Sequence, residues 1–129
     1  MGYMSHSDLG HLEANQVVRI LADKGLRKLV GCDGTYIAGQ LNRATDEFRL
    51  FCDPLGTQPI FYQQNNGFLA FTSQAKWLAP AIGSASRINV DGAIQFLMNR
   101  YPIGYDSLFE GAARLAPGRM LKFTPLPRT

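Results

Sequence analysis

The sequence lacks long apolar runs, strong charge of either sign and recognisable targeting segments, and each shortage excludes a class of function. No run approaches the roughly 18 consecutive apolar residues that indicate a membrane-spanning helix. The 13 Lys+Arg and 10 Asp+Glu residues give a net charge of only +3, and the basic residues are scattered. A nucleic-acid interface needs a basic face or stripe. We therefore expect no membrane and no nucleic acid among the partners of this protein.

Cysteine and histidine are equally scarce, with two of each in the chain. Cys32 and Cys52 lack CxxC or Cys/His spacing, and His6 and His11 have no thiol nearby, so the sequence predicts no metal site. We expect two reduced, partly buried thiols in a cytoplasmic protein, although a disulfide between them stays open. The motifs of phosphate loops, nucleophile elbows, zinc proteases and calcium loops are also missing, so no cofactor is predicted.

The composition is typical of one globular domain: of the 129 residues, 46% are hydrophobic and 18% are charged. The pattern predicts an irregular, flexible N-terminus over residues 1–11, a domain over 12–123 and a tail or linker over 124–129. A helix is predicted from about Asn15, where apolar residues recur at helical spacing. Two hairpins follow, with strands at 35–41, 47–52, 59–63 and 68–72 and turns rich in Asn, Asp and Gly.

Two more helices and a last strand complete the predicted order. Thr72 or Ser73 is suited to cap a helix over 73–79, and Asn89 or Asp91 a helix over 91–101. The latter is predicted to turn a set of apolar residues towards the core, namely Ile94, Leu97, Met98 and Tyr101. With a strand over 119–123, the order predicts an α+β fold, an antiparallel sheet with helices packed on its outer face.

A longer stretch carries a family pattern through the order and spacing of its residues. "CDGTYIAGQLNRATDEFRLFCDPLGTQPIFYQQNNGFLAFTSQAKWLA" resembles the later part of the N-terminal glutaminase domain of the asparagine synthetases. Downstream, "YPIGYDSLFEGAARLAPGRMLKF" is similar to the closing segment of that domain. The family positions kept here are Asp33, Gly34, Tyr36, Asp53, Gly56, Pro59, Phe61, Tyr62, Phe71, Ser73, Lys76 and Leu78.

The resemblance implies a class II glutamine amidotransferase domain with the αββα sandwich of the N-terminal-nucleophile hydrolases. In that family an N-terminal cysteine attacks the side-chain amide of glutamine, and the released ammonia passes to an ATP-dependent synthetase domain. The resemblance runs from about Leu12 to Phe123, which corresponds to the second half of that domain. The sequence begins with Met1 and Gly2 where the family has its cysteine, so the resemblance implies no catalytic residue here. Glu13 falls where the family has an Asp that holds the α-amino group of glutamine, and it is one methylene longer.

Three positions depart from the family pattern by losing charge, at Cys52, Gln58 and Gln74. We hypothesise that these positions form one ion network in the family, because a buried network is lost at least cost when all its members go together.

Half of a two-sheet fold also predicts inner-face apolar residues that are partly uncovered, at Ile37, Leu50, Phe61, Leu69 and Phe71. Large apolar patches mark interfaces. The expected partner is therefore a second copy of the chain, or a synthetase or other polypeptide that covers the exposed sheet. Two functions stay open: a glutamine-dependent ammonia supplier for a synthetase, whose product is asparagine, a β-lactam or a cyclised peptide, and a non-catalytic assembly module built on the same scaffold.

Overall fold

The computed structural model describes residues 3–6, 10–11, 13, 15–16, 19, 32–65, 67–78, 87–101 and 104–125. The strands in these ranges are β1 (Tyr3–His6), β2 (Gly10–His11), β3 (Cys32–Thr35), β4 (Ile37–Asn42), β5 (Glu47–Cys52), β6 (Phe61–Gln64), β7 (Leu69–Thr72), β8 (Ala113–Arg114) and β9 (Met120–Phe123). The α-helix α1 covers Val90–Asn99, and a 3-10 helix covers Ala75–Trp77. The fold is therefore α+β, as predicted, and all its strand pairs are antiparallel.

The strands form three small sheets, in the orders β2-β1-β3, β4-β5-β9 and β7-β6-β8. In the first sheet, β1 pairs with β3 from Tyr3 opposite Thr35 to His6 opposite Cys32. The prediction of irregular backbone over residues 1–11 is thus wrong at β1 and β2. A polar segment can form a strand when its backbone pairs with a neighbour, since strand preference depends on context more than on side-chain type.

Both predicted hairpins are confirmed. β4 and β5 pair from Ile37 opposite Cys52 to Asn42 opposite Glu47, around a turn at 43–46. β6 and β7 enclose a loop in which the Asn65 side-chain oxygen accepts hydrogen bonds from the backbone N–H groups of Gly67 and Phe68, at 2.9 and 3.1 Å. The positive backbone angles predicted for this loop involve a residue outside the described ranges, so that detail stays a prediction.

The second and third sheets pack face to face. Their core contains the buried side chains of Leu50 and Cys52 from β5 with Ile60 and Leu115 from the other sheet's flanks. The rings of Phe48 and Phe71 stack across the two sheets with their centroids 5.6 Å apart. This packing matches a partial sandwich of the predicted kind.

The edge strands β4 and β7 of these two sheets carry exposed apolar residues, and we call these two edges the open side of the sandwich. At that open side Ile37 is 42% exposed and Phe71 47%, as predicted, while Phe61 and Leu69 are half-buried. Leu50 departs from the prediction with 2% exposure, because it lies on the central strand of its sheet and Ile60 covers it.

Helix α1 begins where the sequence predicts but does not face the core. Asn89 caps it, accepting a hydrogen bond from the N–H of Gly92 at 3.3 Å, and the helix ends at Arg100 with a φ of 65°. The inward-facing prediction is wrong for its whole set of residues, whose exposed fractions are 49% for Ile94, 81% for Leu97, 78% for Met98 and 62% for Tyr101. The reason is that the helix contacts its neighbours through Gly92, its one buried residue.

Two other predicted helices, over 73–79 and from about Asn15, lie only partly within the described residues. The helix predicted over 73–79 contains a 3-10 turn at Ala75–Trp77 in its described part. The predicted cap at Thr72 or Ser73 is wrong, because Gln74 holds the cap position without a side-chain capping bond and Thr72 accepts its hydrogen bond from the N–H of Gln74, at 3.2 Å, before the turn begins. Asn15, Gln16 and Arg19 are helical, while the rest of that predicted helix lies outside the described residues. Among the helices that the structure describes, none is both long and apolar enough to cross a membrane.

Candidate functional site

The most specific side-chain arrangement in the structure surrounds Asp53, directly after β5. Asp53 is completely buried. One carboxylate oxygen accepts hydrogen bonds from the N–H groups of Leu55 and Thr57, both at 3.1 Å, and the other accepts the Thr57 hydroxyl at 2.7 Å. This is the pattern by which an aspartate shapes the turn that follows it.

The backbone of Asp53 ties three segments together. Its N–H donates to the carbonyl of Tyr36 at 3.1 Å, and its carbonyl accepts from the N–H groups of Gly56 and Gly118, both at 3.0 Å. Gly56 has a φ of +60°, and a Cβ added there would lie 2.9 Å from Cγ of Pro117. Glycine is thus required at this position both by the backbone angle and by the close approach of the proline.

The electrostatics of this turn favour the ionised form of Asp53. Burial raises the pKa of its carboxyl, but the hydrogen bonds from the side chain and backbone of Thr57 and from the backbone of Leu55 outweigh burial, so the pKa of Asp53 lies below its ordinary value. Burial, followed by the neighbouring Cys32 and Asp53, raises the pKa of the Tyr36 hydroxyl to about 12. Asp53 is therefore a fixed anion engaged in local hydrogen bonds, and it is poorly placed to take a proton from a substrate.

The two thiols flank the same region and are both inaccessible. Cys32 is 1% exposed, and burial, followed by the charge of Asp33, raises its pKa. Cys52 is 5% exposed, and its Sγ donates to the carbonyl of Ala116 at 3.2 Å. Since the nucleophile in thiol chemistry is an accessible thiolate, neither cysteine has the surroundings of a catalytic one.

A second charged cluster lies on the outer face of the sheet β4-β5-β9. Glu47 is buried and forms ion pairs with Nε of Arg49 and with Nζ of Lys122, the latter at 2.6 Å. Hydrogen bonds from Lys122 and Arg49 lower the pKa of Glu47. Arg49 and Lys122 stand directly opposite each other on β5 and β9, where two cations repel, so Glu47 offsets that repulsion. This cluster stabilises the strand pairing.

The structure separates the residues that the sequence singled out. Asp53, Gly56 and Pro59 share one turn, in which Asp53 and Gly56 are buried and Pro59 is half-buried. Asp33 and Gly34 lie in β3, and Gly34 has a φ of 135°.

The other predicted residues lie at the surface. Ser73 and Lys76 are exposed, and the Lys76 ammonium lies 5.1 Å from the centroid of the Trp77 ring. Glu13 is also exposed, and its backbone N–H donates to the side-chain oxygen of Gln16 at 2.9 Å. Its role in holding the α-amino group of glutamine stays a prediction.

The charge-loss positions do not share one environment. Cys52 is buried, whereas Gln58 and Gln74 are exposed. The hypothesis of a common buried network therefore gains no support at the two glutamines.

Sequence reasoning missed two of the residues that organise these turns, Thr57 and Ser107. Ser107 is completely buried, and its hydroxyl oxygen accepts from the N–H of Phe109 at 3.0 Å, while its carbonyl accepts from the Asn89 side chain at 3.0 Å. The available signal was spacing, because Asp, Ser and Thr next to turns hydrogen-bond to backbone groups two to four residues away. Within the described ranges, no three His, Cys, Asp or Glu side chains are grouped so that they could hold a metal ion.

The fold and this turn define the chain as an α+β scaffold domain in which a buried aspartate orders the loop between two packed sheets. The family profile of the glutamine amidotransferase domain matches residues 3–126, nearly the whole sequence. The protein therefore belongs to the glutamine amidotransferase domain family. Neither the curated proteins nor the solved structures contain a significant match to this chain.

Proposed function

We propose that this chain is an amidotransferase domain of the asparagine synthetase kind, with a role in supplying glutamine-derived ammonia to an ATP-dependent synthetase. The family match over residues 3–126 supports the general class. The narrower relationship is supported by the order of the segments around Asp33, Asp53 and Ser73. The turn around Asp53, formed with its full set of hydrogen bonds, is the feature of the fold that fits this relationship.

The 129-residue polypeptide on its own is proposed not to hydrolyse glutamine. The observation that carries this proposal is the burial of both its cysteines, at 1% exposure for Cys32 and 5% for Cys52. Amide hydrolysis by a thiol needs a thiolate next to a base and within reach of the substrate. Neither buried thiol meets that need, so the nucleophile of a working enzyme has to come from elsewhere.

The test is ammonia release from glutamine by the purified chain, measured with a coupled dehydrogenase assay. We expect the rate to equal the buffer background. Release above background that is abolished by Cys32→Ser or Cys52→Ser would show that one of these thiols is the nucleophile and would refute the proposal. A thiol-reactive dye should label neither cysteine rapidly in the native chain and both in denaturant.

Glutamine binding is a separate question from hydrolysis and tests the predicted role of Glu13. We expect Glu13→Ala to weaken any binding of glutamine measured by NMR titration, because it removes a carboxylate proposed to pair with the α-amino group. Glu110→Ala is the matched control, since Glu110 is also exposed. Equal affinities for the two variants would remove Glu13 from the site.

The second candidate is a non-catalytic assembly module, and the open side of the sandwich favours it. There the edge strands β4 and β7 carry no charged residue and no proline, the usual protections against pairing with another chain. A synthetase, another polypeptide or a second copy of this chain is proposed to cover this side. A Leu41→Lys substitution, at an inward-facing residue that is 57% exposed, should abolish such an association without unfolding the domain.

A further inference from the structure

The helix α1 presents a continuous apolar surface to solvent. We name as the α1 stripe the five residues Val90, Ile94, Leu97, Met98 and Tyr101, whose exposed fractions run from 49% to 81%. The stripe contains no charged residue; four of its members lie on α1, which buries only Gly92, and Tyr101 follows the C-terminal cap at Arg100. An apolar helix face normally packs against another element, and the described part of the chain leaves this one largely exposed, which favours a binding surface.

The size of the stripe is close to what a dimer interface uses. A free aromatic side chain offers roughly 150–250 Å², and aliphatic side chains offer somewhat less. At the observed exposed fractions, the five residues present on the order of 500 Å² of side-chain surface, against about 800 Å² that each partner contributes to a standard interface. Ile88, which directly precedes the cap and is 61% exposed, extends the surface further. The apolar area is smaller than one partner's standard share, so polar residues around the stripe have to complete the interface.

The spacing along the stripe fits a helix-to-helix contact. Val90, Ile94 and Leu97 follow one another on α1 at intervals of four and three residues, the spacing of a coiled-coil seam. In an antiparallel pair centred between Ile94 and Leu97, Ile94 meets the partner's Leu97, and Val90 lies at the end of the contact nearest the partner's C-terminal cap. The stripe is therefore complementary to itself under a two-fold rotation, which a symmetric dimer requires.

The charges at the helix ends select the antiparallel arrangement. Asp91 lies in the first turn and Arg100 at the C-terminal cap, and both are exposed. An antiparallel pair brings the Asp91 end of one helix beside the Arg100 end of the other and sets the two helix dipoles in opposite directions. A parallel pair would align like charges and like dipole ends.

From this area, spacing and charge we propose that the α1 stripe binds a second copy of this chain, helix against antiparallel helix about a two-fold axis. The proposal does not depend on glutamine chemistry, because α1 contains none of the residues that the family resemblance assigns to the substrate. It also leaves the open side of the sandwich free for a different polypeptide.

The experiment is sedimentation of the full chain across micromolar concentrations, for the wild type and two lysine variants. The wild type is expected to dimerise, and Leu97→Lys is expected to weaken the dimer at least about a hundredfold, since it places a charge in the centre of a desolvated seam. Leu55→Lys is the matched control, because Leu55 is 80% exposed on the Asp53 turn. Circular dichroism establishes that both variants fold.

The orientation has its own test. Mixing an Ile94→Cys variant with a Leu97→Cys variant should give a disulfide-linked dimer faster than either variant alone. In a parallel pair, each variant would link to itself fastest. A monomeric wild type, a dimer that Leu97→Lys leaves intact, or equal effects of Leu97→Lys and Leu55→Lys would each overturn the proposal, the last two by placing the contact elsewhere.

Discussion

Replacing Asp53 by asparagine tests whether the family motif at this turn serves stability. The side chain accepts hydrogen bonds from the N–H groups of Leu55 and Thr57 and from the Thr57 hydroxyl. Bonds to a charged acceptor contribute about 1.5–3 kcal/mol each, against about 0.5–1.5 kcal/mol for neutral ones. Asparagine keeps one acceptor oxygen but has an NH₂ donor in place of the other, and this donor faces the Thr57 hydroxyl. We expect the free energy of unfolding to fall by about 2 kcal/mol, since the exposed Thr57 regains part of its hydration.

The assay is urea unfolding followed by circular dichroism, with Asp46→Asn as the control. Asp46 is exposed and has a φ of 50°, a conformation that asparagine tolerates well. The control should change the free energy of unfolding by less than about 0.5 kcal/mol, as surface substitutions usually do. Equal unfolding midpoints for wild type and Asp53→Asn would refute the argument that the charge stabilises the turn.

The same substitution has a pH signature. Because the pKa of Asp53 is lower in the folded state, its stabilising effect is fully present above the unfolded pKa of about 3.9 and is lost as the pH falls through the folded pKa. The difference in unfolding free energy between wild type and Asp53→Asn should therefore be constant near neutral pH and shrink in acid. A difference that grows in acid would contradict the assigned direction of the pKa.

Two glycine substitutions test the close contacts of the fold. Gly56→Ala should lower the melting temperature more than Gly104→Ala. Both glycines have positive φ angles, of 60° and 83°, but only at Gly56 would the new Cβ meet a proline, at 2.9 Å. Thermal unfolding of the two variants measures the difference, and equal losses would refute the steric argument. Gly92→Ala should destabilise the chain although alanine favours helices, because its Cβ would lie 2.5 Å from the Ser107 carbonyl oxygen. An unchanged or raised melting temperature would contradict the packing of α1 on that segment.

The hairpins and the cap of α1 were predictable from the sequence because their causes are local. Turn residues between the two β-strand patterns bring β4 and β5 together, and the Asn89 side chain accepts a hydrogen bond from the otherwise unpaired N–H of Gly92. The strand β1 and the exposure of α1 were not predictable, because both depend on what lies opposite in space. Ser107 was missed for a similar reason, since its burial follows from the docking of the Asn89 cap on a segment distant in sequence.

The distinction between local causes and contacts distant in sequence also applies to the candidate site around Asp53. The carboxylate of Asp53 makes its hydrogen bonds to Leu55 and Thr57 within the turn, so this turn contributes shape to the fold and supplies no reactive group. Hydrolysis of glutamine would need an accessible nucleophile, which neither buried thiol provides. We propose that other chains bind at two exposed apolar surfaces of the described residues, the α1 stripe and the side of the sandwich at β4 and β7. Because binding to the folded state alone raises the free energy of unfolding, the thermal stability of this chain should rise with its own concentration if the stripe mediates dimerisation, and Leu97→Lys should remove that dependence.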